Sequence, residues 1–275
     1  MTPAEPADAA RIRPLTALVI TVMPVLTRLA LLFFLIVASL RAAPAPDVAT
    51  LLAEARAAEA KLESRRALEL YLAADQAKPN DDAILQKIAR QYSDLITELS
   101  TNEDRRRYAQ TALDYSQRAV ALAPDKAENV LSLAICHGKL GVYSDTKTKI
   151  KYSRLVKEEA ERALALDPNY AWAHHVIGRW HYEVATLGAA TRFFVRLIYG
   201  GLPAATTAEA VHHLRRAVAL EPGELNHHLE LGFALAAAGD KIRARAEFEK
   251  GLAMPNRGKH DAEAKTRART ALASL

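Results

Sequence analysis

The sequence predicts an all-α fold, and three observations carry the prediction. Half of the 275 residues are hydrophobic and alanine is heavily used, while glycine (11) and proline (12) are sparse; such composition favours helix. Period-two runs of Val, Ile and Thr are nearly absent outside an N-terminal apolar stretch, which argues against strands. Amphipathic segments stopped by proline also recur: "ALELYLAADQAKP" (Ala67 to Pro79), "ALDYSQRAVALAP" (Ala112 to Pro124), "VKEEAERALALDP" (Val156 to Pro168), "AVHHLRRAVALEP" (Ala210 to Pro222) and the shorter "ARAEFEKGLAMP" (Ala244 to Pro255).

Each segment reads as a helix of about three turns. Small residues recur at Ala74, Ala119, Ala163, Ala217 and Gly251, where two backbones must approach closely. A second kind of helix precedes several of them. "LSLAICHGKLG" (Leu131 to Gly141), "HVIGRWHYEVATLG" (His175 to Gly188) and "LELGFALAAAGD" (Leu229 to Asp240) each carry a small residue mid-way (Ala134, Gly178, Gly232) and a glycine at or near the end. The terminal glycine fits the preference at helix C-termini.

Helix A, turn, helix B, proline, then the next helix A is a tetratricopeptide-type array, whose unit is about 34 residues. Leu231, Gly232, Leu235, Gly239, Ala244, Phe248 and Gly251 fall on that pattern, as do Ala55, Ala67, Tyr71, Ala74 and Pro79. The three middle units carry inserts, "SDLITELSTNEDRRRYAQT", "VYSDTKTKIKYSRL" and "TRFFVRLIYGGLPAATTAE". The expected architecture is a tetratricopeptide-like helical-hairpin solenoid of about five repeats with inserted helices, because one hairpin cannot bury its apolar face alone. Residues 47–256 form this repeat domain, and 257–275 follow as a basic helical tail.

The N-terminus reads differently. Residues 15–40 are almost wholly apolar, interrupted by Pro24 and Arg28, and "RAAPAPD" follows. A basic start, an apolar core and an A-x-A at Ala43 to Ala45 is the pattern of a secretory signal peptide. Initiation at Met23 gives a compact version of it. Left uncleaved, residues 15–40 are long enough to span a bilayer. Residues 1–46 are therefore expected to be a signal peptide or membrane anchor plus linker, placing the protein in the periplasm, outside the cell, or on the inner membrane.

The net charge of +5 is dispersed, too small an excess to call for nucleic acid. Cys136 is alone, which excludes an intramolecular disulfide and a cysteine-based zinc site.

The combination "LAICHGKLG", "VIGRWHY" (Val176 to Tyr182), "YGGLPAATTAEA" (Tyr199 to Ala210) and "RAVALEP" resembles the regulator of microtubule dynamics family over roughly residues 50–256. The resemblance implies a tetratricopeptide-like fold and a helical adaptor, not an enzyme, often membrane-tethered. The export-like N-terminus and the alanine-rich, bacterial-looking composition depart from the family, so microtubule binding does not carry over.

The residues themselves give little chemistry. Nine histidines include the pairs His174/His175, His212/His213 and His227/His228, but there is no H-E-x-x-H and no carboxylate at a metal-ligand offset. His174 and His228 occupy the same register of successive A helices. No nucleophile elbow, P-loop or dinucleotide fingerprint is present, and Cys136 reads as core. No metal and no cofactor are expected.

The informative surface is the concave one. Trp172, His175, Arg179 and Tyr182 fall at i, i+3, i+7 and i+10, a single helical stripe. Asn226, Leu229 and Phe233 extend it in the fifth unit, and Gln86 and Arg90 in the second. Aromatic and arginine side chains concentrate binding energy. The expected function is a non-enzymatic scaffold that binds a protein segment in its groove. The alternative is a module that carries a lipid or other hydrophobic ligand. In that reading the insert Phe193, Phe194, Arg196, Leu197, Ile198 and Tyr199 serves as a lid or lipid contact.

Overall fold

The computed structural model describes residues 47–275. The signal or anchor reading of residues 15–40 and the Met23 start lie outside the described residues. Twelve α-helices run in order among the described residues: α1 Val48–Ala60, α2 Ser64–Ala77, α3 Asp82–Leu95, α4 Asn102–Leu122, α5 Ala127–Val142, α6 Thr146–Leu166, α7 Ala171–Ala185, α8 Ala189–Tyr199, α9 Thr207–Leu220, α10 Leu225–Ala237, α11 Lys241–Ala253 and α12 Asp261–Ala273. No described residue is in a strand. None of these helices is long and apolar enough to cross a membrane.

Local chemistry sets the helix ends. Asp47, Asp81, Thr101, Asp145, Thr206, Glu224 and Asp240 each accept a backbone N–H of their own first turn, satisfying donors that the helix leaves orphaned. The proline stops work through the residue before them, which proline pushes out of helical geometry. The N–H groups of Lys78, Ala123, Asp167 and Glu221 each close onto the carbonyl of the small residue four back, Ala74, Ala119, Ala163 and Ala217, at 2.8–3.0 Å. One motif therefore ends helix B and directs the chain into the next repeat.

The five hairpins are α1/α2, α3/α4, α5/α6, α7/α9 and α10/α11, and each helix B also packs on the next helix A. The small residues are needed where A meets B. A methyl group at Gly178 would sit 2.8 Å from Leu214, at Gly232 2.6 Å from Phe248, and at Gly251 2.5 Å from Leu229. Ala55, Ala67, Ala74, Ala119, Ala134, Ala163, Ala217 and Ala244 are fully enclosed. The core is thus a chain of hairpin-sized clusters, including one around Tyr71, one around Leu131 and Ile177, and one around Leu229 and Phe248.

Three details differ from expectation. Two of the three inserts make no separate α-helix. They lengthen helix B, so that α4 and α6 each run for 21 residues, with only a 3-10 turn, Ile96–Glu98, between α3 and α4. The third insert alone becomes an extra helix, α8. Only one of the three glycines marks a helix end as expected: Gly239 is left-handed (φ 85°) and Asp240 N–H reaches back to Leu235 O. Gly141 is the next-to-last residue of α5, against Tyr152, and Gly188 stands at the N-cap of α8. Finally, residues 261–273 are not a detached tail. Helix α12 packs on both α10 and α11 and buries Ala268, standing where the A helix of a sixth hairpin would.

Candidate functional site

Successive A helices touch one another, α3 with α5, α5 with α7, α7 with α10, and α10 with α12. They surround a cavity of about 900 Å³. The size is that of a site for a peptide side-chain cluster or a drug-sized ligand. Ile135, Val142, Val156, Val176, Leu187 and Val195 give it apolar walls, and Lys139, Arg179, Glu183, Glu230, Glu263 and Arg267 place charge in it.

The C-terminal segment walls one side of this cavity, which stays open to solvent at Ile135 and Val142. Lys259 Nζ pairs with Glu98, and His260 Nε2 lies 3.2 Å from Asp94 Oδ1. Glu98 also pairs with Arg65 at 3.0 Å. The loop before α12 is thereby tied to the second repeat, and Ile96, Thr97 and His260 join the lining.

The stripe residues divide. Trp172, His175, Arg179 and Asn226 line the cavity. Trp172 packs on the His175 and His227 rings with centroids 4.9 and 4.8 Å away. The two histidines share a 2.9 Å Nδ1–Nδ1 hydrogen bond. Burial, with Arg179 adding to it, pushes His175 down to about 3, so this ring is neutral at physiological pH. Asn226 Nδ2 donates to Glu224 and to Asp261 of α12.

The other five stripe positions do not line the cavity. Leu229 is 1 % exposed because it fills the space left by Gly251. Phe233 lies between Phe248 and Tyr182, at 5.0 and 6.2 Å, under the Arg267 guanidinium at 4.9 Å. Helix α12 has thus covered the end of the stripe that Tyr182 and Phe233 were expected to present. Gln86 is half-buried, and Arg90 is exposed beside Asp94 at 3.9 Å. The lid residues Phe193, Phe194, Arg196 and Ile198 face away. The insert meets the cavity through Thr191, Val195 and Leu202.

Sequence reasoning missed the charged centre. Glu230 is 5 % exposed; its Oε1 is 3.3 Å from Arg267 and 3.9 Å from Arg179, and its Oε2 has no hydrogen-bond partner among the described residues. Burial lowers the pKa of Lys139 and Arg179 adds to this, against the opposing pull of Asp94 and Glu263. A charged residue inside an otherwise apolar A-helix run, as in "LELGF" and "CHGKLG", is the signal that marks both positions. An unpaired buried carboxylate oxygen beside arginine is incomplete polar chemistry, of the kind a bound polar group satisfies.

His174 and His228 serve the helix packing. His174 Nε2–H donates to the Pro168 carbonyl at 3.1 Å, so His213 Nδ1–H donates to His174 Nδ1 at 3.0 Å. His228 repeats the arrangement, 3.0 Å from the Pro222 carbonyl and 2.6 Å from Glu247. Among the described residues no three potential ligands converge on a metal position. Cys136 is enclosed beside Ser116 at 3.2 Å, and burial pushes its thiol up. Trp180 is 6 % exposed and donates to the Ser153 carbonyl at 2.8 Å.

This fold and cavity define a tetratricopeptide-type helical-repeat protein. Among solved structures it is similar to a thermophilic tetratricopeptide-repeat protein of Thermus thermophilus, with a TM-score of 0.60 at 20% identity, covering 82% of this chain and 100% of that one. The family described as regulator of microtubule dynamics protein 1-3 matches residues 51–275, and the chain belongs to that family. Its similar proteins include regulator of microtubule dynamics protein 1 of Bos taurus, 30% identical over 62% of this chain and 54% of the relative. Regulator of microtubule dynamics protein 2 of Macaca fascicularis is 28% identical over 78% and 53%. The chain thus spans about half the length of these two curated relatives. Both are animal proteins, and the bacterial-type membership expected from the composition is not shown.

Proposed function

We propose that this chain is a non-enzymatic repeat scaffold that holds a segment of another protein in its concave cavity. The observation that carries the reading is the mixed lining at one place. Trp172 and the valine walls supply apolar contact, Arg179 and Lys139 supply cations for a carboxylate, and Glu230 offers an unsatisfied acceptor. Charge-assisted and bidentate hydrogen bonds give such a site specificity. The relatives are named for microtubule regulation; the proposal takes the scaffold from the family and not that partner. Delivery to the periplasm or the inner membrane through residues 15–40 belongs to the same proposal, and N-terminal sequencing of the mature protein tests it.

The test substitutes Arg179→Glu, alone and with Trp172→Ala, and follows partner capture in the native cell alongside helicity. Capture is lost in both variants while circular dichroism is retained; unchanged capture contradicts the reading. The apolar walls also favour a second reading, a carrier of a hydrophobic ligand with its anionic group at Arg179 or Lys139. Native mass spectrometry of purified protein separates the two, because a carrier retains its ligand.

A further inference from the structure

Helix α8 is built in the opposite way to every other helix here. It has no buried residue, and its large apolar side chains face water: Phe193, Phe194, Leu197 and Ile198 are 62, 57, 69 and 61 % exposed. They fall at i, i+1, i+4 and i+5, one stripe of one helix. An apolar stripe of this kind on an otherwise well-packed chain marks a contact surface.

The helix is nonetheless held firmly. Arg154 of α6 donates to the carbonyls of Tyr199 and Gly201 at 2.6 and 2.5 Å. Arg192 donates to Ala185 O at 3.2 Å, and Gly200, left-handed at φ 76°, closes the C-terminus. The apolar face is therefore displayed by a fixed support.

Charge identifies the occupant. No acidic residue occurs from Val184 to Ala208, whereas Arg192 and Arg196 lie on the helix itself. Lys147, Lys151 and Arg154 fall at i, i+4 and i+7 of α6, so the exposed Lys147 and Lys151 share the face whose Arg154 grips the end of α8. An amphipathic helix with an exposed apolar stripe, arginines beside it and no acids suits the boundary of an anionic bilayer, where apolar burial and headgroup attraction add.

We propose that α8 is a membrane-surface contact, inserting Phe193, Phe194, Leu197 and Ile198 into an anionic leaflet while Arg192, Arg196 and the Lys147/Lys151 stripe meet its headgroups. The helix lies in the interface and does not span it. This surface is separate from the cavity and does not rest on the groove reading.

The test uses the full chain with an environment-sensitive dye at Leu197→Cys; the native Cys136 is 1 % exposed and escapes labelling. Vesicles of phosphatidylcholine with phosphatidylglycerol are expected to shift the dye to the blue. Brominated acyl chains are expected to quench it, and molar salt to weaken the response, since screening shortens to about 3 Å. Adding Phe193→Glu and Ile198→Glu, both at exposed sites that leave the core intact, raises the lipid needed for half-response at least about tenfold. A dye at the exposed Glu249→Cys on α11 remains in water. The readout is local, so attachment through residues 15–40 does not mimic it. A dye at 197 that stays in water with every vesicle overturns the proposal. So does an equal response to uncharged vesicles, an equal response at 249, or a blue shift without lipid that grows with protein concentration and reports a second copy of the chain.

Discussion

At the scale of the residue, the close approaches between A and B helices decide stability. Gly232→Ala places a methyl 2.6 Å from the enclosed Phe248 ring, and overpacking of this kind costs about 1–3 kcal/mol. Urea denaturation is expected to show that loss. Gly188→Ala, with nothing within 4 Å of the added methyl, is expected to stay near the parent. These glycines were legible in the sequence because they recur in register with the alanines of neighbouring repeats. Glu230 and Lys139 show in the sequence only as charges interrupting apolar A-helix runs, a signal that does not say whether they face open solvent or the cavity.

At the scale of the element, the repeat register explains the histidines. Glu159, His213 and Glu247 each stand four residues before the small residue of their B helix. Glu159 meets His137 at 2.8 Å and Glu247 meets His228 at 2.6 Å, but in the fourth repeat the carboxylate is replaced by His213. Burial, with His174, His212 and His181 adding to it, pushes His213 down to about 4; burial also lowers His174 and His181. The sign follows from linkage. Between the unfolded value of 6.5 and the folded value of about 4, the unfolded chain binds more protons, so stability falls as pH falls through that window. Thermal unfolding is expected to show this loss, and His213→Glu, which gives His174 a carboxylate as in the fifth repeat, is expected to reduce it. An undiminished loss in that variant assigns the acid sensitivity elsewhere.

Helix α12 covers the C-terminal end of the array. Its sequence is basic and weakly amphipathic, and it follows the last proline stop, so sequence reasoning reads it as a tail. Only its packing on α10 and α11 shows that it caps the array. Removing residues 257–275 uncovers the apolar face around Phe233 and Leu235, at a cost on the order of 3 kcal/mol or more. The truncated chain is expected to melt earlier and to aggregate, whereas a detachable tail leaves the melting curve unchanged.

Across the whole described unit, the pairing of Lys259 and His260 with Glu98 and Asp94 adds a wall to the concave groove. The repeat pattern made a concave face legible, but a contact between residues 166 positions apart has no signature in a single sequence. These pairs are partly exposed, and such pairs contribute about 1 kcal/mol or less each, so little holds this wall in place. Asp94→Asn with Glu98→Gln is expected to change the melting temperature little. Amide exchange over residues 255–260 is expected to rise and partner association to accelerate; unchanged exchange contradicts the pairing.

The proposed partner segment lies inside this cavity. The most direct measurement of that placement is site-specific photo-cross-linking in the native cell, with the probe at Val176 on the cavity wall or at Arg245 on the outer helix α11. A partner segment is expected to be captured from position 176, not from 245, and Arg179→Glu is expected to abolish the adduct. Equal capture from both positions, or capture from 176 that survives Arg179→Glu, contradicts it.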